Sequence, residues 1–307
     1  MHPVKGIALK LCAVILFICM ASLIKATADH VPPGEAVFFR SFFALPVIVG
    51  WLIVRGDLAT GLRVVSPMGH FWRGFVGTAA MGLGFTALGL LPLPEATALG
   101  YAAPLLTVVF AAMFLDEKVG LFRISAVLLG LGGVVIVLSP RLTAFGGETV
   151  QTMQAVGALA ALTGAICAAL AQIYIRKMVA TEQTSAIVFY FSITSALLSL
   201  LTAPFGWVMP DGPELVLLIS AGLLGGLGQI FLTSCYRFAD ASVVAPFDYA
   251  SMIFALAIGF VIFDEVPTST MLGGASLVIL AGCLIIWRER QLGLRRERSR
   301  AVKTPQG

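Results

Sequence analysis

Apolar stretches of about twenty residues follow one another along the chain, with only brief polar interruptions. They run over residues 6–27, 35–54, 70–90, 95–115, 122–139, 154–176, 184–203, 214–236, 242–263 and 270–287. A hydrocarbon layer of about 30 Å is crossed by roughly 20 helical residues. The pattern therefore predicts an all-α integral membrane protein of ten transmembrane helices, numbered here as spans 1 to 10. Chain breakers fill the gaps: Val31-Pro32-Pro33-Gly34, Pro92-Leu93-Pro94, Ser139-Pro140, Phe145-Gly146-Gly147 and Pro210-Asp211-Gly212-Pro213.

Composition agrees and leaves no room for a soluble domain. The 307 residues are 59% hydrophobic and 12% charged, against roughly 25% charged in soluble chains. The net charge of +4 sits in the tail, where Arg288, Arg290, Arg295, Arg296, Arg298, Arg300 and Lys303 face only Glu289 and Glu297. A basic tail directly after a span anchors at anionic lipid, so nucleic acid is not an expected partner. Arg55, Arg63, Lys118, Arg123, Arg176, Lys177 and Arg237 all fall in loops on the side of the termini, which predicts both termini in the cytoplasm, beneath a bacterial-type inner membrane. Lys25 and Arg141 are the exceptions. Lys5 and Lys10 before a short apolar core, with Ala26-Thr27-Ala28 after it, also read as a signal peptide, but cleavage would remove the first member of the repeat described next. Cys12, Cys19, Cys167, Cys235 and Cys283 have no paired spacing, and His2, His30 and His70 are isolated, so neither a metal nor a cofactor is expected.

Self-comparison reveals two halves. A shift of 148 residues places Tyr101-Ala102 on Tyr249-Ala250 and Asp116-Glu117 on Asp264-Glu265, and one residue further out of step Gly133 falls on Gly282. A shift of 151 places Gly6 on Gly157, Lys25 on Arg176, Phe38 on Phe189 and Ser41 on Ser192. The unit has five helices, and an odd number forces the second copy to cross in the opposite sense. The expected organisation is one repeat over residues 1–139, a linker over 140–153, an inverted repeat over 154–287 and the basic tail over 288–307.

With Phe114-Leu115-Asp116-Glu117-Lys118 closing span 4, Ile262-Phe263-Asp264-Glu265 closing span 9, Pro94-Glu95-Ala96-Thr97-Ala98 opening span 4 and the glycines Gly130, Gly132 and Gly133, the chain resembles the EamA-type drug/metabolite transporters along nearly its whole length. The resemblance implies a ten-helix basket in which spans 3, 4, 8 and 9, with parts of 1 and 6, surround a central cavity. It leaves the solute open among amino acids, nucleotide-derived compounds, vitamins and other metabolites.

Candidate chemistry lies where polar groups enter the spans. Asp248, about two turns inside the predicted span 9, is a carboxylate at a depth where charge costs about 2.5–3.5 kcal/mol unless it faces a cavity or a partner. It reads either as a proton or cation site or as half of a structural pair. Pro246 before it frees the Ser242 carbonyl and bends the helix. Arg40 could receive a substrate carboxylate, pair with Glu95 or snorkel to the interface. Glu95 suits a helix start or a substrate role. Tyr101 and Tyr249 occupy equivalent repeat positions. Thr97, Tyr101 and Pro104 share a face, as do Gln229, Thr233 and Tyr236, while Gln172 lies one turn before Arg176; each stripe reads as cavity lining or as interhelical glue. Trp72, Phe85, Tyr101, Tyr236, Phe247 and Tyr249 suit a ring-bearing or amphipathic solute. The runs Gly222 to Gly228 and Gly82 to Gly84 lack the lysine of a nucleotide loop and read as close helix packing. Without an ATP site, transport would be secondary, by alternating access. An intramembrane enzyme would show HExxH, GxSxG or paired acids, and none occurs; a structural role would not need Asp248 or opposed repeats. The expected partners are a small-molecule solute and the bilayer, with proton coupling and a homodimer left open.

Overall fold

The computed structural model describes residues 3–58, 60–114, 120–142, 149–238 and 245–302. Among them the secondary structure is helical: α1 (Pro3–Thr27), α2 (Pro33–Phe42), α3 (Ala44–Arg55), α4 (Pro67–Leu90), α5 (Leu93–Gly100), α6 (Ala102–Phe114), α7 (Leu121–Leu142), α8 (Thr149–Met178), α9 (Thr184–Leu200), α10 (Gly212–Phe238), α11 (Ala250–Phe263) and α12 (Ser269–Val302), with 3-10 turns at Ala203–Phe205 and Ala245–Tyr249. Six helical stretches have the length and apolarity to cross a membrane, and 184–200, 247–263 and 269–285 are shorter apolar helices. The more polar α4, with His70 and Arg73, stands where the third expected span falls. Asp116-Glu117, Phe145-Gly146-Gly147 and Ser242 lie outside the described residues.

Prolines explain why spans 2 and 4 are each two helices. Pro46 has no N–H to give the Phe42 carbonyl, and Pro104 has none for Gly100. Those carbonyls close α2 and α5, and the chain resumes helically after Phe43 and Tyr101. In span 9 the 3-10 turn around Pro246 precedes α11, so Asp248 stands before the regular helix rather than two turns inside it. Span 10 does not stop where the basic tail begins, because α12 continues to Val302.

The helix partners show how the halves interlock. The most extensive packing joins α1 to α10, α4 to α8 and α7 to α12, that is, span 1 to 8, 3 to 6 and 5 to 10. Exchanging each span with its repeat mate turns 1 with 8 into 6 with 3, and leaves 5 with 10 unchanged. Spans 2 with 7 and 4 with 9 also touch and are likewise self-mated, through α2 with α9 and α5 with α11. The inter-half contacts thus obey a pseudo-two-fold exchange, as an inverted repeat requires. One apolar core lies between α5, α6, α7, α8, α11 and α12, and another between α1, α2, α4, α10 and α11.

Glycines set the closest crossings. A Cβ on Gly133 would stand 2.7 Å from the Gly274 carbonyl oxygen, and one on Gly274 would stand 2.6 Å from that of Gly133. Backbone meets backbone there, so α7 and α12 would have to separate. Gly132 and Gly273, one residue away, have nothing within 4 Å of such a Cβ. Gly133→Ala and Gly274→Ala are therefore expected to lower the melting temperature, by about 1–3 kcal/mol of overpacking. Gly132→Ala and Gly273→Ala should leave it unchanged or raise it, since alanine gains up to about 1 kcal/mol inside a helix. Melting curves of the four purified variants check the alternation of sign.

Candidate functional site

Tyr101 and Tyr249 meet where the two broken spans cross. Their backbones are nearly identical, with φ −69° and ψ −6° at Tyr101 and φ −69° and ψ −15° at Tyr249, and each immediately precedes a helix. Their rings pack edge to face, 5.0 Å between centroids at 72°. The Tyr101 hydroxyl lies 2.7 Å from Ser251 Oγ, and Ser251 Oγ lies 2.6 Å from the Asp248 carbonyl. Ser251 has one proton and gives it to that carbonyl, so Tyr101 is the donor to Ser251. Gly282 on α12 leaves room for Tyr249, since a Cβ there would fall 1.7 Å from the Tyr249 hydroxyl.

Asp248 is not a lone carboxylate. Lys10 of α1 places its Nζ 2.7 Å from Asp248 Oδ1, with 2% of the lysine side chain and 35% of the aspartate side chain exposed. The pair therefore links spans 1 and 9 with the cation enclosed and the anion partly open. Its repeat mate would be Ala161 with Gly100, so the pair has no symmetry-related copy.

On the face opposite the termini, ion pairs tie the rim. Asp264 takes a left-handed conformation, φ 52°, and the Glu265 N–H donates to the Gly259 carbonyl at 2.9 Å. This turn brings the Glu265 carboxylate to Lys25 Nζ at 3.0 Å and to the Leu93 N–H at 2.7 Å. Lys25 also donates to the carbonyls of Leu88 and Leu91, at 3.1 and 2.7 Å, so one pair fastens spans 1, 3, 4 and 9. Nearby, Arg141 grips Glu95 through Nε at 2.8 Å and Nη2 at 2.7 Å, and its Nη1 donates to Gln154. On the same face His30 bonds Glu214, which raises the His30 pKa through that hydrogen bond and the carboxylate charge. On the face of the termini Glu182 accepts from the Val65 and Ser66 N–H groups at 2.8 and 2.7 Å. Burial works against its charge, but the donors from Ser66, Val65 and His70 outweigh it and hold its pKa below the usual carboxylate range.

The other expected site residues are more scattered. Thr97 spends its hydroxyl on the Leu93 carbonyl at 2.7 Å. Gln229 and Thr233 are buried on α10, and Gln172 is half-buried on α8. Trp72 is 43% exposed, beside Phe71 and Phe75 on the outer face of α4. Arg40 neither snorkels nor pairs with Glu95; it is 2% exposed, with a long hydrogen bond of 3.4 Å to the Gly225 carbonyl. Lys10, Ser251 and Arg141 join these contacts without standing among the expected site residues; the signals in the sequence are a charge inside an apolar helix for Lys10 and a basic residue in an outer loop for Arg141. A cavity of about 230 Å³ between α1, α2 and α4, lined by Ile24, Val31, Ala36, Phe85, Thr86 and their neighbours, contains no titratable group.

Two interlocked five-span repeats, with broken fourth spans meeting beside a half-enclosed ion pair, define a multi-pass membrane fold of the inverted-repeat class. The chain belongs to the EamA-like transporter family, whose model matches residues 4–139 and 155–287. It is 30% identical over 268 residues to the S-adenosylmethionine uptake transporter of Rickettsia felis, covering 86% of each chain. It is 29% identical to the pseudopaline exporter CntI of Pseudomonas aeruginosa, over 94% of this chain and 97% of that one. The riboflavin transporter of Vibrio cholerae is 29% identical, over 97% and 98%. A solved crystal structure shares the fold at a TM-score of 0.67 and 21% identity, covering 95% of this chain and 99% of that one.

Removing one member of the Lys10–Asp248 pair strands the other. Lys10→Met is expected to lower stability by roughly 1–3 kcal/mol, less than full burial would give because Asp248 is partly open. The double variant Lys10→Met with Asp248→Asn should recover most of the loss. Detergent melting temperatures of both variants check this, and a double variant as unstable as Lys10→Met would show that the pairing is not what stabilises the contact.

Proposed function

We propose that this chain is a secondary carrier that moves a small organic metabolite across a bacterial inner membrane by alternating access, with both termini cytoplasmic. The observation that carries the reading is the meeting of the broken spans 4 and 9 at Tyr101 and Tyr249, beside the Lys10–Asp248 pair, on the line about which the two halves exchange. Irregular backbone at membrane depth is tolerated where it lines a solute path, and inverted repeats rock about such a point. Relatives named for S-adenosylmethionine, pseudopaline and riboflavin include both an uptake carrier and an exporter, so the family supports the class of cargo rather than one solute or one direction. An enzyme would need a nucleophile with its base, whereas the groups gathered here are an ion pair and a chain of hydroxyls.

In this reading the Lys25–Glu265 clasp is a periplasmic gate in its closed position, and Asp248 exchanges Lys10 for a proton or a cationic solute group during the cycle. Two experiments test it. Alkaline phosphatase fused after Gly307 should be inactive, and fused between Phe205 and Pro213 it should be active; the reverse would overturn the orientation. In proteoliposomes supplied with S-adenosylmethionine or riboflavin as first solutes, Asp248→Asn should abolish accumulation driven by a pH gradient while solute exchange persists in part. Undiminished accumulation by a variant of unchanged melting temperature would remove Asp248 from the coupling.

A further inference from the structure

Two arginines lie deep in the protein without a counter-charge among the described residues. Arg40 on α2 is 2% exposed and Arg73 on α4 is 4% exposed. Their guanidinium carbons stand 5.5 and 4.0 Å from the centre of a single ring, that of Phe191 on α9. Nε and Nη1 of both side chains have no acceptor. The acids that might serve are engaged elsewhere: Asp248 with Lys10, Glu265 with Lys25, Glu95 with Arg141, Glu182 with His70, and Glu35 with the Val208 N–H. Among the described residues, no carboxylate forms a salt bridge with either arginine.

The guanidinium groups are nevertheless seated rather than left over. A Cβ on Gly77 would stand 2.1 Å from Arg73 Nη1, and one on Gly225 would stand 2.8 Å from Arg40 Nε, so glycine makes space for each. The hydroxyls of Ser41 and Ser192, next in sequence to Arg40 and Phe191, are also fully buried and without partners. The shift of 151 that places Ser41 on Ser192 places Arg40 on Phe191. Arg40 therefore lies over its own repeat mate, at the self-mated contact of spans 2 and 7. Like charges sharing one ring in low dielectric repel, and buried donors without acceptors are destabilising. The arrangement is explained if an anion completes it.

We infer that Arg40 and Arg73, with the hydroxyls of Ser41 and Ser192, form the binding point for an anionic group, a carboxylate or a phosphate, on the transported solute. Each guanidinium presents a planar fork that matches such oxygens in pairs, and the Phe191 face steadies the cations between transport events. Position on the exchange line lets the site face either side in turn. The inference rests on the carrier reading only in calling the anion part of a solute.

The test uses the full chain in nanodiscs of phosphatidylcholine, titrated with inorganic phosphate and with acetate against chloride at constant ionic strength. A saturable rise in melting temperature of several degrees is expected with at least one of the two anions. Arg40→Gln and Arg73→Gln should each abolish that rise while melting, without anion, at or above the unmodified protein. No rise in the unmodified protein, or a rise that survives either substitution, overturns the proposal. So does a rise produced only by phosphatidylglycerol in the disc, which would assign the site to a lipid headgroup. If a glutamine variant does not fold, Arg40→Lys and Arg73→Lys keep the charge without the fork and should raise the titration midpoint at least tenfold; an unchanged midpoint overturns the proposal equally. Because binding is read without transport, this result stands or falls apart from the Asp248 experiment.

Discussion

A charge taken into hydrocarbon is held only by an opposite charge or by enough hydrogen bonds, and where this protein pairs its charges it does so across helices rather than within them. Lys10 reaches Asp248 from span 1 to span 9, Lys25 reaches Glu265 between the same two spans, and Arg141 reaches Glu95 from span 5 to span 4. Each pair is a contact that the apolar surfaces could not specify by themselves, since lipid tails are as apolar as the helices. Helix order at the centre and at one rim depends on these few groups.

The same economy shapes the backbone. Proline interrupts spans 2 and 4 at Phe43 and Tyr101, and the turn around Pro246 delays α11 until Ala250. Free backbone groups at such depths need protein neighbours, and the breaks in spans 4 and 9 face each other through Tyr101, Tyr249 and Ser251. Glycine does the complementary work, allowing α7 to touch α12 and leaving room for the Tyr249 hydroxyl. The broken spans bring Tyr101 and Tyr249 together at a self-mated contact of the halves.

Asymmetry within that exchange separates two kinds of chemistry. The Lys10–Asp248 pair bridges the halves and is not repeated at the exchanged positions, Ala161 and Gly100, and Arg40 faces a phenylalanine at its own repeat position. The two halves thus share a frame and differ in the charged groups they carry. Relatives similar along most of the chain are named for unlike solutes.

Periodic hydrophobicity, breaker residues and the two shifts of self-comparison determined the multi-pass membrane class, the helical spans, the inverted relation of the halves and the equivalence of Tyr101 with Tyr249, because these properties follow from local helix length and internal homology. The packing role of the Gly222 to Gly228 run was legible for the same reason, whereas a Cβ on Gly82 or Gly84 would meet nothing within 4 Å; the local break at Pro246 was legible too, although its extent was not: Asp248 falls in a 3-10 turn. Which charges meet was not legible. Lys10 reads along the chain like the leading charge of a signal peptide, Lys25 and Arg141 like exceptions to the loop-charge rule, and Arg73 like any basic residue near a span start. Their partners lie 46 to 240 residues away in the sequence, where no local pattern reaches: Glu95 for Arg141, Glu265 for Lys25, Asp248 for Lys10 and the Phe191 ring for Arg73. Only the tertiary structure decides them, because an ion pair between helices is fixed by crossing point and rotation, and a one-dimensional pattern specifies neither.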